Sequence, residues 1–568
     1  MLLKQLVEYS HRAKSQPALY AEVPIRYIVE LDENGILLSP KPIDTADPSN
    51  RLTARGQRRL APQVQRGNRF IPMLFADRAE YTLGITSKSL KPQRAKKVHT
   101  AYLEMLEKCL AQTGLPQVLA VHRFLIADPL SAIRLEKTFD PSANITFRVG
   151  GVFPMDLPEV QRFWAEQHSP ASRFGCCATR QCLVCGEKRP ALIRLQQRIK
   201  GIPNGQSQGT VLISANDSAY ASYGLKASSV SPICEECGQR STRAMNLLLE
   251  DPNTHHEMGD TVFVFWTRNS TEKFSFHDFL FSPRPEQVKR LIKSAGNGNQ
   301  PSEIDNDSFY CVALSANGGR TVVRDWIDST LAQIRFNLAR WFERQAIVGP
   351  FGERPRPLGI NLLAKALERG DGGGLNRTGP LIKRALFRAA LTGAPLPSRL
   401  LYLAVRRNCA ERNVSHARAA VTKLAIYSTK TGKHAEDYMQ TIELENNSVA
   451  YLCGRLLALF ERAQRLAGRP NATIVDRFYG AASSTPRMAY PLLARLARAH
   501  LSKLSFGARA SLESSIEEIV SRIGSFPAVF NLEEQGMFSL GYYHQRAHDR
   551  FQKTAGKKDH TNEDAIAA

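Results

Sequence analysis

The chain has 568 residues, a formal net charge of +23 and a hydrophobic fraction of 43%. This length and apolar content suffice for several domains with their own cores, which excludes a disordered protein. Such a large positive charge predicts a polyanionic partner, either nucleic acid or, as the competing interpretation, an anionic membrane surface.

Membrane insertion and secretion are not expected. No apolar run approaches the roughly 20 residues that span a bilayer, and the N-terminal stretch MLLKQLVEYSHRAKSQ lacks the apolar core of a signal peptide. Ten cysteines are too sparse for a disulfide framework in a chain of this length. We therefore expect a cytoplasmic protein with no membrane partner, and buried thiols at the cysteines outside the metal motif described below.

The first 150 residues combine strand and helix patterns. Two apolar runs flank residues 32–35, which is a hairpin signal. Residues 98–115 predict a helix, and residues 116–150 predict strands and turns that end at the alternating pattern ITFRVGGVF.

A basic segment lies inside this region. Between Arg51 and Lys97 there are twelve Lys or Arg residues against two acidic residues. Such a run is usually only a solvated face, but here it precedes the apolar stretch FIPMLFADRAEYTLGI, which can anchor it. We therefore interpret it as a fixed phosphate-binding segment with these candidate residues: Arg58, Arg59, Arg66, Asn68 and Arg69.

Two copies of one cysteine motif follow, CLVCG at residues 182–186 and CEECG at residues 234–238. Each copy supplies two thiolates and a glycine that lets the backbone fold under a metal, and two copies are typical of a structural zinc site. The predicted Zn²⁺ ligands are Cys182, Cys185, Cys234 and Cys237. Since 48 residues separate the pairs, the metal is expected to close an inserted subdomain, with Cys176 and Cys177 as possible substitute ligands.

The insert contains a polar loop, RIKGIPNGQSQG, at residues 198–209. Its glycines and proline predict a bent, exposed backbone. Amide side chains suit base edges and lysine suits phosphate, so the loop is a candidate recognition element, with an ordinary surface loop as the alternative. The candidate residues are Lys200, Asn204, Gln206, Ser207 and Gln208.

Beyond the insert, strands are predicted at residues 261–268 and 309–314 and at TVVRDW. The stretch GDGGGLNRTGP predicts a linker and lacks the Lys-Ser/Thr of a P-loop. After it the pattern is helical, with ten basic and two acidic residues between Tyr451 and Ala510. We interpret this region as a helical bundle with a cationic, backbone-binding side formed by Arg455, Arg462, Arg495 and Arg498.

The predicted fold class is α+β. A mixed N-terminal domain, residues 1–369, carries the zinc-ribbon-like insert, residues 182–238. A linker, residues 370–380, leads to a C-terminal helical bundle, residues 381–568.

Residues that would support catalysis are weaker candidates. The stretch DPNTHHEMGD at residues 251–260 holds histidines and carboxylates that could bind divalent ions for phosphodiester cleavage, but its spacing matches no metal motif and a loop is favoured. His544 and His548 lie four residues apart without a carboxylate on the same face, which favours a packed helix. Two alternatives stay open, a metal-dependent nuclease and a zinc-ribbon RNA-binding scaffold without DNA recognition.

Seven segments, in one order over nearly the whole chain, resemble the large subunit of the type I-C CRISPR surveillance complex, Cascade. Together they are more specific than any short motif. They are PMLFADRAEYTLGI, RIKGIPNGQSQGTVLISAN with SYG after it, VFVFW, YCVALSANGGRTVVRDW, LPSRLLYLAVRR, NATIVDRFYGAASSTPRMAYP and FSLGYYHQR. The cysteine quartet is not counted in this resemblance, so the zinc prediction rests on its spacing alone.

The resemblance implies a non-catalytic protein at the 5′ end of the CRISPR guide RNA. It would recognise the protospacer-adjacent motif (PAM) on target double-stranded DNA and promote unwinding and R-loop formation in antiviral defence. The implied protein partners are the repeated backbone subunit, the guide-processing subunit, a recruited helicase-nuclease, and small subunits made from the same gene. Met439 precedes the first strongly amphipathic helix of the basic region and is the candidate internal start for those small subunits.

Overall fold

The computed structural model describes residues 1–12, 17, 19–49, 53–64, 66, 70–85, 92–168, 179–192, 195, 197–215, 219, 223, 225, 227–269, 276–296, 307–368, 379–428, 439–468 and 471–566. The chain divides into two compact units. Unit 1 is Met1–Glu250 with Ala316–Val322, and unit 2 is Asp251–Ser315 with Val323–Ala568. This division differs from the predicted one, which placed a linker at residues 370–380. Residues 370–378 of that linker lie outside the described residues.

Unit 1 contains small sheets rather than one large one. Its strands are β1 (Tyr20–Ile25), β2 (Tyr27–Leu31), β3 (Ile43–Asp44), β4 (Gln57–Pro62), β5 (Ala76–Arg78), β6 (Asn144–Val149), β7 (Thr179–Gln181) and β8 (Lys188–Pro190). β1 pairs with β4, β7 pairs with β8, and the other four form a sheet in the order β3-β2-β6-β5. Only the β2–β6 pairing in this sheet is parallel.

The helices of unit 1 are α1 (Leu2–Ser10), α2 (Ala79–Thr82), α3 (Pro92–Thr113), α4 (Pro116–Ile126), α5 (Pro129–Ala132), α6 (Pro158–Gln167) and α7 (Glu235–Glu250). Helices α2, α3, α4 and α6 share a hydrophobic core with the central sheet, and α1 packs on α7 beside the cysteines. The predicted helix at 98–115 is confirmed as α3. The strand prediction for residues 116–132 is wrong, because Pro116 and Pro129 each stand at a helix N-terminus and Val118, Val121 and Leu125 bury one helical face.

Unit 2 begins with a sheet and continues with helices. The sheet has the order β12-β11-β10-β9, and the predicted strands are confirmed. Its strands are β9 (His255–Met258), β10 (Thr261–Thr267), β11 (Ser308–Asn317) and β12 (Arg320–Thr330), with residues 316–322 assigned to unit 1. The helices are α8 (Phe276–Phe281), α9 (Pro285–Gly296), α10 (Leu331–Gln345), α11 (Ile360–Leu367), α12 (Gly379–Thr392), α13 (Ser398–Glu411), α14 (His416–Tyr427), α15 (Val449–Ala467), α16 (Ile474–Ser484), α17 (Pro486–Leu501), α18 (Phe506–Ile523) and α19 (Leu532–Ile566).

One hydrophobic core joins the sheet and helices of unit 2. It runs from Met258 on β9 to Tyr543 on α19, and the rings of Phe263 and Phe387 lie 4.2 Å apart. Residues on both sides of the predicted linker therefore share a core, which is why the division falls earlier in the chain. The mixed α and β content and the helical C-terminal region agree with the predicted fold class.

Two helices of unit 2 cross at glycines. A Cβ on Gly454 of α15 would lie 2.0 Å from the Phe538 carbonyl oxygen, and a Cβ on Gly541 of α19 would lie 2.1 Å from the Tyr451 carbonyl oxygen. Only glycine allows backbones to approach this closely. The crossing therefore depends on both residues.

Candidate metal centre and nucleic-acid interface

The four predicted zinc ligands come together in unit 1. The sulfur atoms of Cys182, Cys185, Cys234 and Cys237 all lie within 4.8 Å of one another. Cys185 is exposed and the other three are buried. The Sγ atoms of Cys185 and Cys234 are 4.0 Å apart, close to the edge of about 3.8 Å expected for a tetrahedral ZnS₄ site with Zn–S distances of about 2.3 Å.

A hairpin and a helix N-terminus position the sulfurs. Cys182 follows β7, and the chain returns through β8 after a turn at Gly186, whose φ is +79°. Cys234 immediately precedes α7, and Cys237 lies in the first turn of that helix. A Cβ on Gly238 would lie 2.9 Å from the side chains of Leu192 and Leu195, so this glycine lets the helix pack closely against the segment that follows β8.

The electrostatics favour a thiolate at one ligand. Burial alone would raise the pKa of Cys182, but hydrogen bonds from the backbone of Cys185, Cys234 and Val184 lower this pKa to about 7. The Val184 and Cys234 amides each donate to the Cys182 sulfur at 3.4 Å. A closed set of four sulfurs fits structural Zn²⁺. The possible substitutes, Cys176 and Cys177, lie outside the described residues.

The polar loop lies in the same unit and has a fixed base. Ile199 and Thr210 exchange two backbone hydrogen bonds of 2.8 Å each. On α7, the Asn246 side chain accepts from the Lys200 amide at 2.9 Å and donates to the Arg198 carbonyl at 3.1 Å. The Ile199–Thr210 pair therefore closes the loop, residues 201–209, and the helix that begins at the cysteine cluster holds its N-terminal end through Asn246.

The loop backbone needs left-handed positions. Gly201, Asn204 and Gly209 have positive φ of 79°, 59° and 95°, and asparagine tolerates this region better than most residues. Within the loop, Gly205 donates to the Ile202 carbonyl at 3.0 Å and Gly209 donates to the Gln206 carbonyl at 2.7 Å. These turns leave all five predicted recognition side chains exposed: Lys200, Asn204, Gln206, Ser207 and Gln208.

Three supporting residues were not predicted. Arg198 donates to the Gln206 side-chain oxygen and to the Gly209 carbonyl, both at 3.2 Å. Gly319 lies beside the loop, where a Cβ would be 3.1 Å from the Gln206 carboxamide. The third is Asn246 on α7. The sequence signal available for Gly319 was the SANGGR turn between two strands, but nothing in the sequence indicated which loop it would meet.

The N-terminal basic candidates have protein partners. Arg66 forms a hydrogen-bonded ion pair with the buried Asp77, and its Cζ atom lies 4.1 Å from the centroid of the Tyr81 ring. Arg59 lies 3.4 Å from Asp156, and Arg58 lies 3.5 Å from Glu22. Two further candidates, Asn68 and Arg69, lie outside the described residues. Arg66 thus has a clear structural role, and phosphate binding by this segment stays a prediction.

The helical candidates divide into buried and exposed residues. Arg455 is only 3% exposed, and its Nε donates to Gln545 at 3.0 Å. It does not lie on an exposed flank as predicted, because α19 covers that side of α15. Arg462 is partly exposed and forms an ion pair with Asp549 at 3.0 Å. Arg495 and Arg498 on α17 are exposed, so they remain available to a backbone phosphate.

The alternative nuclease site is not assembled within the described part of the chain. There, the cysteine quartet is the only group of three or more His, Cys, Asp or Glu side chains close enough to hold one metal ion. His255 Nδ1 lies 2.8 Å from the Asp251 carbonyl oxygen, and His256 stacks on Phe281 with centroids 3.6 Å apart. His544 is fully buried against the Tyr451 hydroxyl at 3.0 Å, as expected for a packed helix.

Comparison with known proteins identifies one family. Residues 5–549 match the family model described as CRISPR-associated protein (Cas_Csd1). No curated protein matches the chain. Among the described residues, no helix has both the length and the apolar character required to cross a membrane.

Proposed function

Since the chain belongs to the CRISPR-associated Cas_Csd1 family, the family of the type I-C Cascade large subunit, we propose that it recognises the PAM on double-stranded DNA. In this proposal the guide RNA reads the long target sequence by base pairing, and the protein reads only the adjacent motif and the backbone. The net charge of +23 supports binding to both nucleic acids.

The observation that carries the proposal is the anchored loop at residues 201–209. Its amide and hydroxyl side chains point outward from a backbone that is fixed by Asn246 and Arg198. Because its backbone is already hydrogen-bonded, the loop loses little conformational entropy when it meets DNA. Asn204 and Gln206 would contact base edges, and Lys200 would contact phosphate.

Zn²⁺ would have a structural role in this function. The residues that would hold it are Cys182, Cys185, Cys234 and Cys237. A bound Zn²⁺ would fix the start of α7, the helix that also carries Asn246. Through Asn246, the metal centre would position the recognition loop.

We further propose that the chain is non-catalytic. Its steps would be motif recognition, local unwinding, R-loop formation, and recruitment of a separate helicase-nuclease, with the guide RNA and the other Cascade subunits as partners. Incubation of the purified chain with DNA and Mg²⁺ or Mn²⁺ tests this directly. We expect intact DNA, and metal-dependent cleavage would instead support the nuclease alternative.

Competition binding tests motif recognition. The complex, assembled with its guide RNA, is given a labelled target duplex and unlabelled duplexes that carry every variant of the adjacent motif. We expect only a few motifs to compete. Equal competition by all motifs would contradict the proposal and favour the RNA-binding scaffold.

Small subunits made from the same gene are part of the proposal. A start at Met439 would give a fragment of residues 439–568, which contains α15–α19 with the glycine crossing. Met439 itself is 1% exposed and packs in the core, so a structural role alone also explains this methionine. Intact mass spectrometry of complex from the native operon should detect a C-terminal fragment, and its absence beside the full-length chain would refute the idea.

A further inference from the structure

A cleft in unit 2 contains a concentration of arginines. Its volume is about 390 Å³, and it lies between the loop after α13, the helices α15 and α19, and the start of α16. This volume is within the range of small-ligand pockets. Four guanidinium groups line it, those of Arg412, Arg465, Arg546 and Arg550.

The carboxylates of the cleft already have partners. Glu411 is paired with Arg407 and Arg418. Asp476 accepts hydrogen bonds from the Thr473 amide at 2.7 Å and hydroxyl at 2.9 Å, which caps α16. The third lining carboxylate is that of Glu461. The four lining arginines together with Arg407 and Arg418 carry six positive charges, and the three carboxylates carry three negative charges. The cleft is therefore net positive.

Glu461 orients two of the arginines. It is 3% exposed, accepts from the Tyr542 hydroxyl at 2.7 Å, and binds Arg465 through both Nε and Nη2. Arg546 Nε lies 3.6 Å from the same carboxylate, and its Nη1 donates to Asn413 at 3.0 Å. A guanidinium has five N–H donors, so these contacts hold the two groups in place and leave other donors for a ligand.

Arg412 differs from the other three. It is exposed at the C-terminus of α13 with a φ of 52°, and among the described residues no carboxylate lies within salt-bridge distance of it. Its charge therefore contributes to the field of the cleft without an ion pair that stabilises the bundle. An Arg412 variant can therefore lose ligand binding without losing an ion pair that stabilises the fold.

We propose that this cleft binds a phosphate group. Several guanidinium groups held in fixed positions provide charge-assisted hydrogen bonds that match phosphate oxygens. The phosphate would come either from the backbone of a nucleic-acid strand or from a free nucleotide. Binding here involves none of the loop residues and is independent of motif recognition.

Calorimetric titration of the full-length chain with pyrophosphate tests the site. We expect saturable binding that Arg412→Gln weakens about tenfold, the loss of one charge-assisted interaction. Arg509→Gln is the matched control, because Arg509 is an exposed helical arginine outside the cleft, and it should change affinity less than about twofold. Arg465→Gln should repeat the loss, and a thermal melt of each variant checks folding.

Competition then distinguishes the two sources of phosphate. Displacement of pyrophosphate by an octathymidylate without terminal phosphates supports a strand backbone, and displacement by AMP alone supports a nucleotide. The proposal is overturned if pyrophosphate binding is not saturable, or if Arg412→Gln and Arg509→Gln have the same effect. Neither pyrophosphate nor an octathymidylate carries an adjacent motif. A negative result in this experiment therefore does not contradict motif recognition by the loop.

Discussion

The cysteine region of unit 1 and the helical region of unit 2 are stabilised in different ways. Among the described residues, the buried apolar cluster around the cysteines is small and consists of Cys182, Leu192, Leu195, Ile233, Cys234 and Cys237. The core of unit 2 instead runs from Met258 to Tyr543 and contains many fully buried aromatic rings. A region with so little apolar burial needs another source of stability, and a metal ion bound by the four cysteines would supply it.

The largest effect is expected from removing a metal ligand. Wild-type protein should contain about one zinc per chain, and Cys185→Ser should contain almost none, because structural zinc binding contributes on the order of 10 kcal/mol and needs the complete ligand set. Residues 179–190 of the cysteine hairpin and residues 234–238 at the start of α7 should lose protection in hydrogen exchange while α15 and α19 keep theirs. Metal analysis and exchange mass spectrometry measure both effects, and wild-type protein prepared without chelators that contains no zinc would contradict the account.

The converse experiment targets the helical core. Gly454→Ala places a methyl group 2.0 Å from a backbone oxygen of α19, and we expect a loss of about 3 kcal/mol in the free energy of unfolding. Zinc content should not change. The control is Gly480→Ala in α16, where nothing lies within 4 Å of the added Cβ, so stability should rise by up to about 1 kcal/mol. Equal denaturation midpoints for the two variants would refute the close crossing.

A pH-dependent effect comes from a polar group inside that core. Burial, with a further contribution from the nearby Lys423, lowers the pKa of His544 to about 3. In the unfolded chain, His544 therefore takes up a proton as the pH falls below its ordinary pKa of 6.5. In the folded chain it takes up this proton only near pH 3. Stability should fall as pH drops through this window, by at most about 1.4 kcal/mol per pH unit from this group.

The variant His544→Gln isolates this contribution. Burial also lowers the pKa of Lys423, to about 7, so Lys423 is mostly protonated in both states below pH 6 and adds little slope there. We expect the stability of the variant to depend less steeply on pH between 6.5 and 3. Chemical denaturation at several pH values measures the difference, and parallel curves for variant and wild type would contradict the burial of this histidine.

Sequence reasoning worked where a local pattern determines the outcome. The paired cysteine motifs identified four residues that do cluster, and the apolar runs identified β10 and β11. The glycines and proline of residues 198–209 indicated an exposed loop. In each case the information lies within a few neighbouring residues, as for turns and metal-binding motifs.

Prediction from the sequence failed where contacts between residues far apart in the chain determine the structure. Arg455 and Arg495 carry the same charge in similar helical patterns, but α19 covers only the first of them. The roles of Arg198 and Gly319 depend on which loops meet, and the arginine cleft depends on four separate segments. Single-sequence periodicity contains no information about such long-range packing.

The most direct test of the central claim compares loop and helix variants in one binding panel. With the assembled complex and duplexes carrying every adjacent motif, Asn204→Ala and Gln206→Ala should reduce the preference among motifs by about 1–3 kcal/mol per lost base contact. Arg495→Ala and Arg498→Ala should weaken all duplexes by a similar factor and reduce the salt dependence. If the loop variants instead keep the full preference, or if both classes weaken all motifs alike, the loop does not read the motif.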